Sequence, residues 1–405
     1  MGDQRSTPAH LIVSTIVEAE NIVPLLKEYQ AKGRHVDILF SFPVFPSAVA
    51  RLAAVSAQLG PGSLLLMIDH ADQVPLAAAI KQASGGHAPL IFIKIDGGYG
   101  RAGVVPASPA CSDLLDAVLA AERAGDCFLH GLYIHAGHSY GTRQNWDAMH
   151  FLAAEFVGLS GVAAMVRTKS PGHPLVLSVG ATPTATTIQH PDLLRGGGAS
   201  DPATQELERL FVDLKGAGFA LEIHAGVYTT LDIQQLATHA RDPSLMSAND
   251  IAISVLAEVA SVYPGRGASG TPEALINTGC LALGREPVAD KGAVSGSDYS
   301  GWGIPMPWGP LKNTSGPGPE FPRVHGGWQL GRISQEHGIL VWKGGSGSKE
   351  GAGEAPQLRV GDRVRVWPNH SCIAGSGFER YLIVDSRNQG REDEIVDVWP
   401  RWRGW

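Results

Sequence analysis

Apolar runs alternate with amphipathic stretches from Leu11 onward, which is the pattern of repeated βα units around a parallel sheet. Seven apolar runs predict strands at residues 11–14, 36–42, 64–69, 90–96, 132–135, 175–179 and 220–224. The stretches between them carry apolar residues at helical spacing and predict helices at residues 18–32, 46–58, 73–82, 112–123, 145–167 and 204–215. A further helix is predicted at residues 249–262, with Asn249 as its N-cap.

The pattern changes near residue 265, where helical spacing gives way to short alternating runs. Of the nine tryptophans, only Trp146 precedes Trp302. Apolar and polar positions alternate in the later runs, which predicts an antiparallel β-domain with strands at residues 328–333, 340–343, 363–367, 380–384 and 394–399. We therefore expect two domains, an α/β barrel over residues 1–264 and a β-domain over residues 265–405.

The number of βα units bears on how the barrel closes. A (β/α)8 barrel of the TIM type has eight strands and about 30 residues in each unit. Seven strands are predicted here, and only ten residues precede Leu11, too few for a strand and its crossover helix. The sequence therefore predicts a barrel without its first βα unit.

Composition and charge exclude several classes of protein. The chain has 405 residues, a net charge of −7 and scattered basic residues, which give no electrostatic footprint for nucleic acid. No basic-then-apolar leader opens the sequence, and no apolar run approaches the roughly 20 residues of a membrane span. The cysteines are too widely spaced for a secreted disulfide framework: Cys111, Cys127, Cys280 and Cys372. We expect a cytoplasmic protein with no nucleic-acid or membrane partner.

Three glycine-rich turns follow predicted strands, at residues 137–141, 180–184 and 224–228. Glycine lets backbone N–H groups approach an anion closely, so the three turns together predict a phosphate or cofactor cradle. If Leu11 begins the second strand of a barrel, the last two turns follow strands seven and eight, the commonest phosphate site in that architecture. The G-x-G-x-x-G run at residues 98–103 does not predict a dinucleotide site, because Pro106 and Pro109 delay the next helix to about Ser112.

Two pairs of polar residues lie near the ends of neighbouring predicted strands. Asp96 and Arg101 would stand at the rim where barrel enzymes place their reacting groups, or would form an ordinary surface ion pair. Tyr133 and His135 alternate along one strand, so both would face the barrel mouth or both would fill the core.

A further signal lies at residues 368–372, where His370 and Cys372 follow a predicted strand. Imidazole and thiolate are both zinc ligands, and a spacing of two residues puts both side chains on one face of an extended segment. Two ligands do not complete a zinc sphere. The residues alone therefore leave open a structural histidine beside a buried cysteine.

Several segments, taken in their order along the chain, resemble a known family. They are LIVSTIVEAE, IFIKIDGGYGRAG, GHSYG, GATPT, HAGVYTTLD, SQEHG, VWPNHSC and VWPRWRGW. Together they resemble the eukaryotic D-serine dehydratases, which belong with the D-threonine aldolases among the fold-type III pyridoxal-phosphate enzymes, alongside the alanine racemases. The resemblance implies an alanine-racemase-like barrel followed by a β-domain, pyridoxal 5′-phosphate in the barrel mouth and a head-to-tail homodimer.

The resemblance also implies which residues form the site. The residues that would bind the cofactor phosphate are Gly180, Thr182, Gly226, Val227 and Tyr228. Tyr133 and Arg101 would lie near the cofactor ring, and His370 and Cys372 match the zinc (Zn2+) ligands of the family. D-threonine aldolases usually resemble His-x-Asp at the metal position, so Cys372 favours the dehydratase branch.

One departure from the family concerns catalysis. Family members carry an Arg-Pro-His-x-Lys-Thr-His-Lys-like segment on the first barrel strand, whose first lysine forms the Schiff base and abstracts the Cα proton. The sequence contains no such segment, and Lys94 is on the wrong strand for that role. The expected catalytic lysine is therefore missing, together with the first βα unit.

The function that the resemblance implies is conversion of D-serine, or a related D-β-hydroxy amino acid, to pyruvate and ammonia, with pyridoxal phosphate and zinc. Without the lysine, this chain would be inactive. Two alternatives stay open at this point: a D-threonine aldolase, and a non-catalytic relative that binds a ligand or partner through the retained sites.

Overall fold

The first sheet of the computed structural model contains seven parallel strands, paired in chain order. The structure describes residues 7–194, 201–288, 299–307, 327–343, 355 and 357–404. Within these ranges the strands are β1 (Ala9–Val13), β2 (Val36–Pro43), β3 (Leu64–Ile68), β4 (Leu90–Lys94), β5 (Phe128–Tyr133), β6 (Val176–Val179) and β7 (Ala220–Ile223). Among the described residues, β1 and β7 each have one neighbour in this sheet. The seven predicted parallel strands are thus confirmed, with shifts of a few residues at their ends.

Helices connect these strands and cover one face of the sheet. They are α1 (Ile16–Ala31), α2 (Val49–Leu59), α3 (Val74–Ala83), α4 (Pro109–Arg123), α5 (Asn145–Lys169), α6 (Thr182–Thr186), α7 (Pro191–Leu194), α8 (Pro202–Gly216) and α9 (Ile233–Thr238). Side chains set where they begin: Thr15 and Glu18 form a capping box at α1, and Ser108 caps α4. The main core lies between these helices and the outer face of the strands.

Helix α5 is long and apolar enough, by length and composition alone, to cross a membrane. Half of its most apolar stretch is buried within the protein, and the helix packs against α8 and β6. Its apolar residues are therefore explained by the core of the α/β region.

The second sheet is antiparallel and brings together strands from distant parts of the chain. In spatial order it is β10 (Gly303–Pro307), β13 (Arg363–Pro368), β8 (Val255–Tyr263), β9 (Glu273–Ile276), β12 (His337–Trp342) and β11 (Trp328–Ser334). Two short helices accompany it, α10 (Cys280–Leu283) and α11 (Ser371–Ser376). A separate hairpin pairs β14 (Arg380–Val384) with β15 (Ile395–Pro400). The predicted antiparallel β-region is confirmed.

The helix predicted at residues 249–262 is wrong. A short 3-10 turn covers Ala248–Asp250, and Val255–Tyr263 forms strand β8 of the second sheet. Val255, Ala257 and Val259 face the core of that sheet while the residues between them are exposed, which is the period of a strand. Pairing with β13 and β9 on either side overrides the helical propensity of this alanine-containing segment.

The inner face of the first sheet carries a smaller apolar cluster of its own. Leu39, Met67, Phe92 and Tyr133 project from four successive strands and are buried together. This cluster forms a floor beneath the carboxyl ends of the strands. The polar side chains of the candidate site stand at and above this floor.

Candidate functional site

Two of the predicted glycine-rich turns meet at a pair of backbone amides. The N–H groups of Gly226 and Val227 both donate to the Thr182 hydroxyl, with nitrogen–oxygen distances of 3.3 Å and 3.1 Å. Thr182 begins α6 directly after β6, and Gly226 follows β7. The two N–H groups converge on the hydroxyl oxygen, and a phosphate bound there would take the place of this acceptor and accept from the two N–H groups and the hydroxyl. Thr182, Gly226 and Val227 are thus brought together, as expected of phosphate ligands.

The glycines on either side of this cradle, Gly180 and Gly226, have different surroundings. Gly180 has a φ of +141°, and a Cβ atom there would lie 2.2 Å from the carbonyl oxygen of His224. No other residue fits this close approach of two loops. A Cβ on Gly226 would meet nothing within 4 Å, so it would project into the open space of the cradle. The open space and the converging donors fit a bound phosphate group.

Two stacked rings lie at the floor of the site, one from the floor itself and one from the loop after β7. Tyr133 and His224 lie face to face with ring centroids 4.1 Å apart, and both are buried. Nδ1 of His224 contacts the hydroxyl of Ser178 at 3.0 Å, whereas Nε2 is buried without a hydrogen-bond partner among the described residues. Burial lowers the pKa of His224 well below its usual value, so this imidazole is neutral. A polar atom without a partner beside the cradle is consistent with a ligand site.

Arg101 and His135 stand beside this floor. Nδ1 of His135 contacts the carbonyl oxygen of Gly180 at 2.8 Å. Burial, and secondarily the positive charge of Arg101, lower the pKa of His135 to about 4. The Arg101 guanidinium is exposed, 5.3 Å from the ring centroid of Tyr99. The two predicted ring-side residues, Tyr133 and Arg101, therefore lie at one site.

The turn after β4 has a local structural role. The Asp96 carboxylate accepts the N–H groups of Gly98 and Gly100, at 2.9 Å and 3.1 Å. Helix α4 begins at Pro109, three residues before the predicted start, because proline is favoured in the first turn of a helix. The first two glycines of the G-x-G-x-x-G run thus bind the carboxylate of Asp96, which precedes the run.

Lys94 is the one buried lysine among the described residues. Its ammonium donates to the carbonyl oxygen of Ile95 at 3.1 Å and lies 5.5 Å from the ring centroid of Tyr133. Burial, with a contribution from Arg101, lowers the pKa of Lys94 to about 8. Its ammonium therefore lies beside the floor of the site.

Glu155, a residue that the sequence analysis did not single out, ties two of the turns together. Its Oε1 accepts the N–H groups of Ala136 and Gly180, at 2.8 Å and 3.2 Å, from the loops after β5 and β6. The carboxyl is buried, and burial raises its pKa to about 7 although the Thr184 side chain and the two amides partly oppose the change. One side chain on α5 therefore fixes the position of the Gly180 turn.

The candidate metal ligands lie at the start of α11, next to the loop after β7. His370 is the extended residue before the helix, whereas Cys372 is already helical, so the extended segment expected at residues 370–372 is wrong and the spacing of two residues does not itself put both side chains on one face. Nδ1 of His370 contacts Oε1 of Gln234 at 2.7 Å, which leaves Nε2 as the free donor atom of the ring. Burial lowers the pKa of His370, so the ring is neutral and able to bind a metal. Cys372 is exposed to solvent, although partial desolvation by the surrounding protein raises the pKa of its thiol, and a bound cation would oppose this change.

The donor chemistry of this pair fits zinc. The described residues contain no cluster of three or more histidine, cysteine or acidic side chains arranged to hold a metal. Two protein ligands are one fewer than a catalytic zinc site usually has, so water or substrate would supply the remaining positions. Tyr228, the last of the predicted phosphate ligands, is half-exposed in the 3-10 turn Val227–Thr229, which belongs to the loop after β7.

Tyr140 connects the phosphate cradle to the metal pair. Its ring stacks on His370, with centroids 6.0 Å apart and planes within 18°. Burial raises the pKa of the Tyr140 hydroxyl to about 12, and the nearby side chains of Thr182 and Gln235 oppose this change. A cavity adjoins this tyrosine, lined by Gly137, His138, Tyr140, Arg143, Gln234 and Val288. The two halves of the site are therefore contiguous.

Sequence reasoning missed several of these residues for identifiable reasons. Glu155 is the one acidic residue beyond the first turn of an apolar helix, and Asp232 ends the segment HAGVYTTLD just before a helix. An acidic residue inside such an apolar helix is the one available signal for Glu155. Tyr140 lies in a turn that was predicted for its glycines, and its stacking on His370 could not be foreseen from sequence.

Solved structures define the class of this fold. An ala racemase-like protein from Idiomarina loihiensis has the same fold, with a TM-score of 0.65 and 24% identity, over 100% of this chain and 85% of that chain. The D-threo-3-hydroxyaspartate dehydratase from Delftia sp. HT23 is 26% identical with a TM-score of 0.65, over 97% of this chain and 84% of that chain. A mutant of that dehydratase has been solved in a metal-free form. The α/β architecture is alanine-racemase-like, as expected.

Sequence relatives define the family more closely. A D-serine dehydratase from Schizosaccharomyces pombe is 33% identical over 100% of this chain and 81% of the relative. The family described as the putative serine dehydratase domain matches residues 252–384. The chain belongs to the D-serine dehydratase family, a family of lyases. The resemblance stated from the sequence is thus confirmed.

We predict that Glu155→Gln removes a pH dependence of stability. The parent carboxyl has its pKa raised from 4.5 to about 7 in the folded state, so between these values the folded chain keeps a proton that the unfolded chain releases. The free energy of unfolding of the parent therefore falls as pH rises through this window, by on the order of 3 kcal/mol. Glutamine keeps an acceptor for both amides but has no proton to lose.

Urea denaturation of both proteins between pH 4 and pH 8 measures this difference. Glu28→Gln, at an exposed glutamate of α1, is the matched control and should follow the parent at every pH. Parallel curves for the parent and Glu155→Gln would show that this carboxyl does not titrate in the window.

Proposed function

We propose that this protein is a D-serine dehydratase that depends on pyridoxal 5′-phosphate and zinc and converts D-serine to pyruvate and ammonia. The observation that carries the proposal is the contact through Tyr140, which joins the phosphate cradle at Thr182 to the metal pair at His370. A cofactor site alone would suit many reactions. A cofactor site that adjoins an open metal position suits loss of a β-hydroxyl group.

The cofactor would be held by the residues that the sequence predicted. Thr182, Gly226 and Val227 would bind the phosphate, with Gly180 permitting the close approach and Tyr228 flanking the turn. Tyr133 would support the ring from the floor, and Arg101 would lie at its edge. When bound, pyridoxal phosphate supplies an electron sink for the pair released with the Cα proton.

The metal would be held by His370 and Cys372. Zinc there would act as a Lewis acid on the β-hydroxyl of the substrate. Gln234 would hold the imidazole in one tautomer, with Nε2 directed at the metal. The exposed cation of Arg101 stands where it can attract the carboxylate of an amino acid.

We assign the cofactor site and the metal pair to the two domains expected from the sequence. We propose that residues 1–264 bind the cofactor and residues 265–405 supply the metal pair, although β8 packs within the second sheet. A cytoplasmic location is part of the same proposal, since D-serine and pyruvate are small soluble molecules. Neither nucleic acid nor membrane has a role in it.

We expect pyruvate and ammonia in equal amounts from D-serine when the chain, joined to a first βα unit that carries the Arg-Pro-His-x-Lys-Thr-His-Lys-like segment, is assayed with both cofactors. Chelation should remove the activity, and zinc should restore it. Cys372→Ala should lose zinc and activity together, because half of the protein ligand set is removed. Cys280→Ala, at another cysteine that is not fully buried, is the matched control and should keep both.

The substrate panel separates the alternatives. Glycine and acetaldehyde from D-threonine would identify an aldolase, and product from D-threo-3-hydroxyaspartate alone would assign the specificity of the Delftia relative. Binding of pyridoxal phosphate without any product would identify a non-catalytic relative.

A second prediction concerns the lysine that links to the cofactor. The 405 residues lack the Arg-Pro-His-x-Lys-Thr-His-Lys-like segment, and Lys94 lies on β4 with its ammonium donating to the carbonyl oxygen of the next residue, Ile95. We therefore expect the 405-residue chain to hold pyridoxal phosphate reversibly, through the phosphate contacts, and to release no pyruvate. Borohydride reduction followed by peptide mass spectrometry should find no stoichiometric adduct on Lys94. Such an adduct, with pyruvate formed from D-serine, would contradict this assignment.

We also propose a homodimer. Hairpin β14–β15 is a sheet of two strands, too few for a stable sheet alone, and several of its apolar side chains are exposed: Leu382, Val384, Ile395, Val396, Val398 and Trp399. Exposed apolar patches of this kind mark surfaces where proteins associate, and we assign this one to a second copy of the chain.

Light scattering after gel filtration should give twice the chain mass. Leu382 and Val398 are directly opposed across the hairpin, so the double change Leu382→Glu and Val398→Glu should shift the mass to that of one chain. Val212→Glu, at an exposed valine of α8, should leave the dimer intact. A dimer that survives the hairpin change would exclude this surface.

A further inference from the structure

Two segments far apart in the sequence are joined beside the proposed metal pair. The N–H of Gln234 donates to the carbonyl oxygen of Asn369 at 3.1 Å, and the Ser371 hydroxyl donates to the carbonyl oxygen of Leu231. Leu231 has a φ of +52°, a conformation that non-glycine residues adopt only when their surroundings hold it. The loop after β7 and the start of α11 therefore form one hydrogen-bonded unit.

Asp232 is the centre of this unit. It is fully buried, and its two carboxylate oxygens serve different segments. Oδ1 accepts the N–H of Gln235 at 2.9 Å and caps α9, while Oδ2 accepts the N–H of Ser371 at 2.9 Å. Ser371 stands between His370 and Cys372, so the direction of its amide fixes the backbone from which both candidate ligands project.

Capping alone does not explain a fully buried carboxylate. Asp201 caps α8 and Asp242 caps a 3-10 turn, and both do so from partly exposed positions. Burial of an ionisable group costs free energy unless hydrogen bonds compensate it. Asp232 accepts a second hydrogen bond, from the Ser371 amide. Within the described residues, Asp201 and Asp242 accept no bond from the segment that carries the candidate metal ligands.

We infer that Asp232 is a positioning residue that holds the His370–Cys372 turn in the orientation required for both side chains to bind one metal ion. This inference rests on the metal site of the proposed function. Gln234, two residues along the same loop, orients the imidazole, and Asp232 orients the backbone between the two ligands. Partners that orient metal ligands in this way are worth a 10- to 100-fold change in metal affinity.

The test is a titration of the metal-free protein with Co2+, which gives an absorption band when a thiolate binds it. Asp232→Asn keeps the oxygen that caps α9 but presents an N–H2 group to the Ser371 amide. We expect Co2+ affinity to fall by about 10- to 100-fold and the thiolate band to weaken. The affinity for pyridoxal phosphate should change little, because the cradle at Thr182 is not altered, whereas the melting temperature should fall, because the buried Ser371 amide loses its acceptor. Asp201→Asn is the matched control and should bind Co2+ as the parent does.

A second variant covers the case in which Asp232→Asn does not fold. Asp232→Ser keeps a good N-cap for α9 but is too short to reach the Ser371 amide. The same loss of Co2+ affinity is expected. Equal affinities in the parent and in these variants would overturn the inference alone, while a parent that binds no Co2+ would overturn the proposed metal site and the inference with it.

Discussion

The candidate site depends on one geometric constraint, the parallel pairing of seven strands. Strands that run in one direction deliver all their carboxyl ends to the same edge of the sheet. Lys94, Tyr133 and the turns at Gly180 and Gly226 therefore meet although they are far apart in the sequence. The floor of buried rings beneath them is made of the same strands. Site and core are thus produced by one pairing pattern.

Irregular loops at that edge leave backbone N–H groups that the sheet cannot satisfy. Two buried carboxylates take up some of these groups. Glu155 accepts amides from the loops after β5 and β6, and Asp232 accepts amides from α9 and from α11. Each carboxylate joins two segments, so the loops are fixed to each other as well as to the sheet. In both cases burial raises the pKa of the carboxyl, which is the electrostatic cost of this arrangement.

The alternation of strands and helices could be predicted from the sequence, because the spacing of apolar residues is a local signal that does not depend on tertiary contacts. The prediction failed at Val255–Tyr263, a short segment of small and apolar residues whose type a local pattern does not decide. There the choice is made by two partner strands that come from later in the chain. The predicted cradle residues do lie together. Glycine-rich turns at strand ends can be recognised locally, and parallel strands bring such turns to one edge of the sheet.

Contacts across the sequence could not be predicted in the same way. The bond between His370 and Gln234 joins residues 136 positions apart, and no local pattern announces it. Glu155 was overlooked because an acidic residue in a helix is usually solvated. Both depend on tertiary packing alone.

The close approach at Gly180 has a consequence for how such an enzyme can change. The phosphate end of the site is built from backbone atoms, and at Gly180 the carbonyl oxygen of His224 leaves no space for a side chain. The metal end is built from side chains of α11 and of the loop after β7, which can be exchanged without moving the sheet. Substitutions that alter the accepted hydroxy amino acid are therefore expected at the metal end, while the anchor for the cofactor stays the same. Diversification of substrates within one fold follows from this unequal freedom of its two ends.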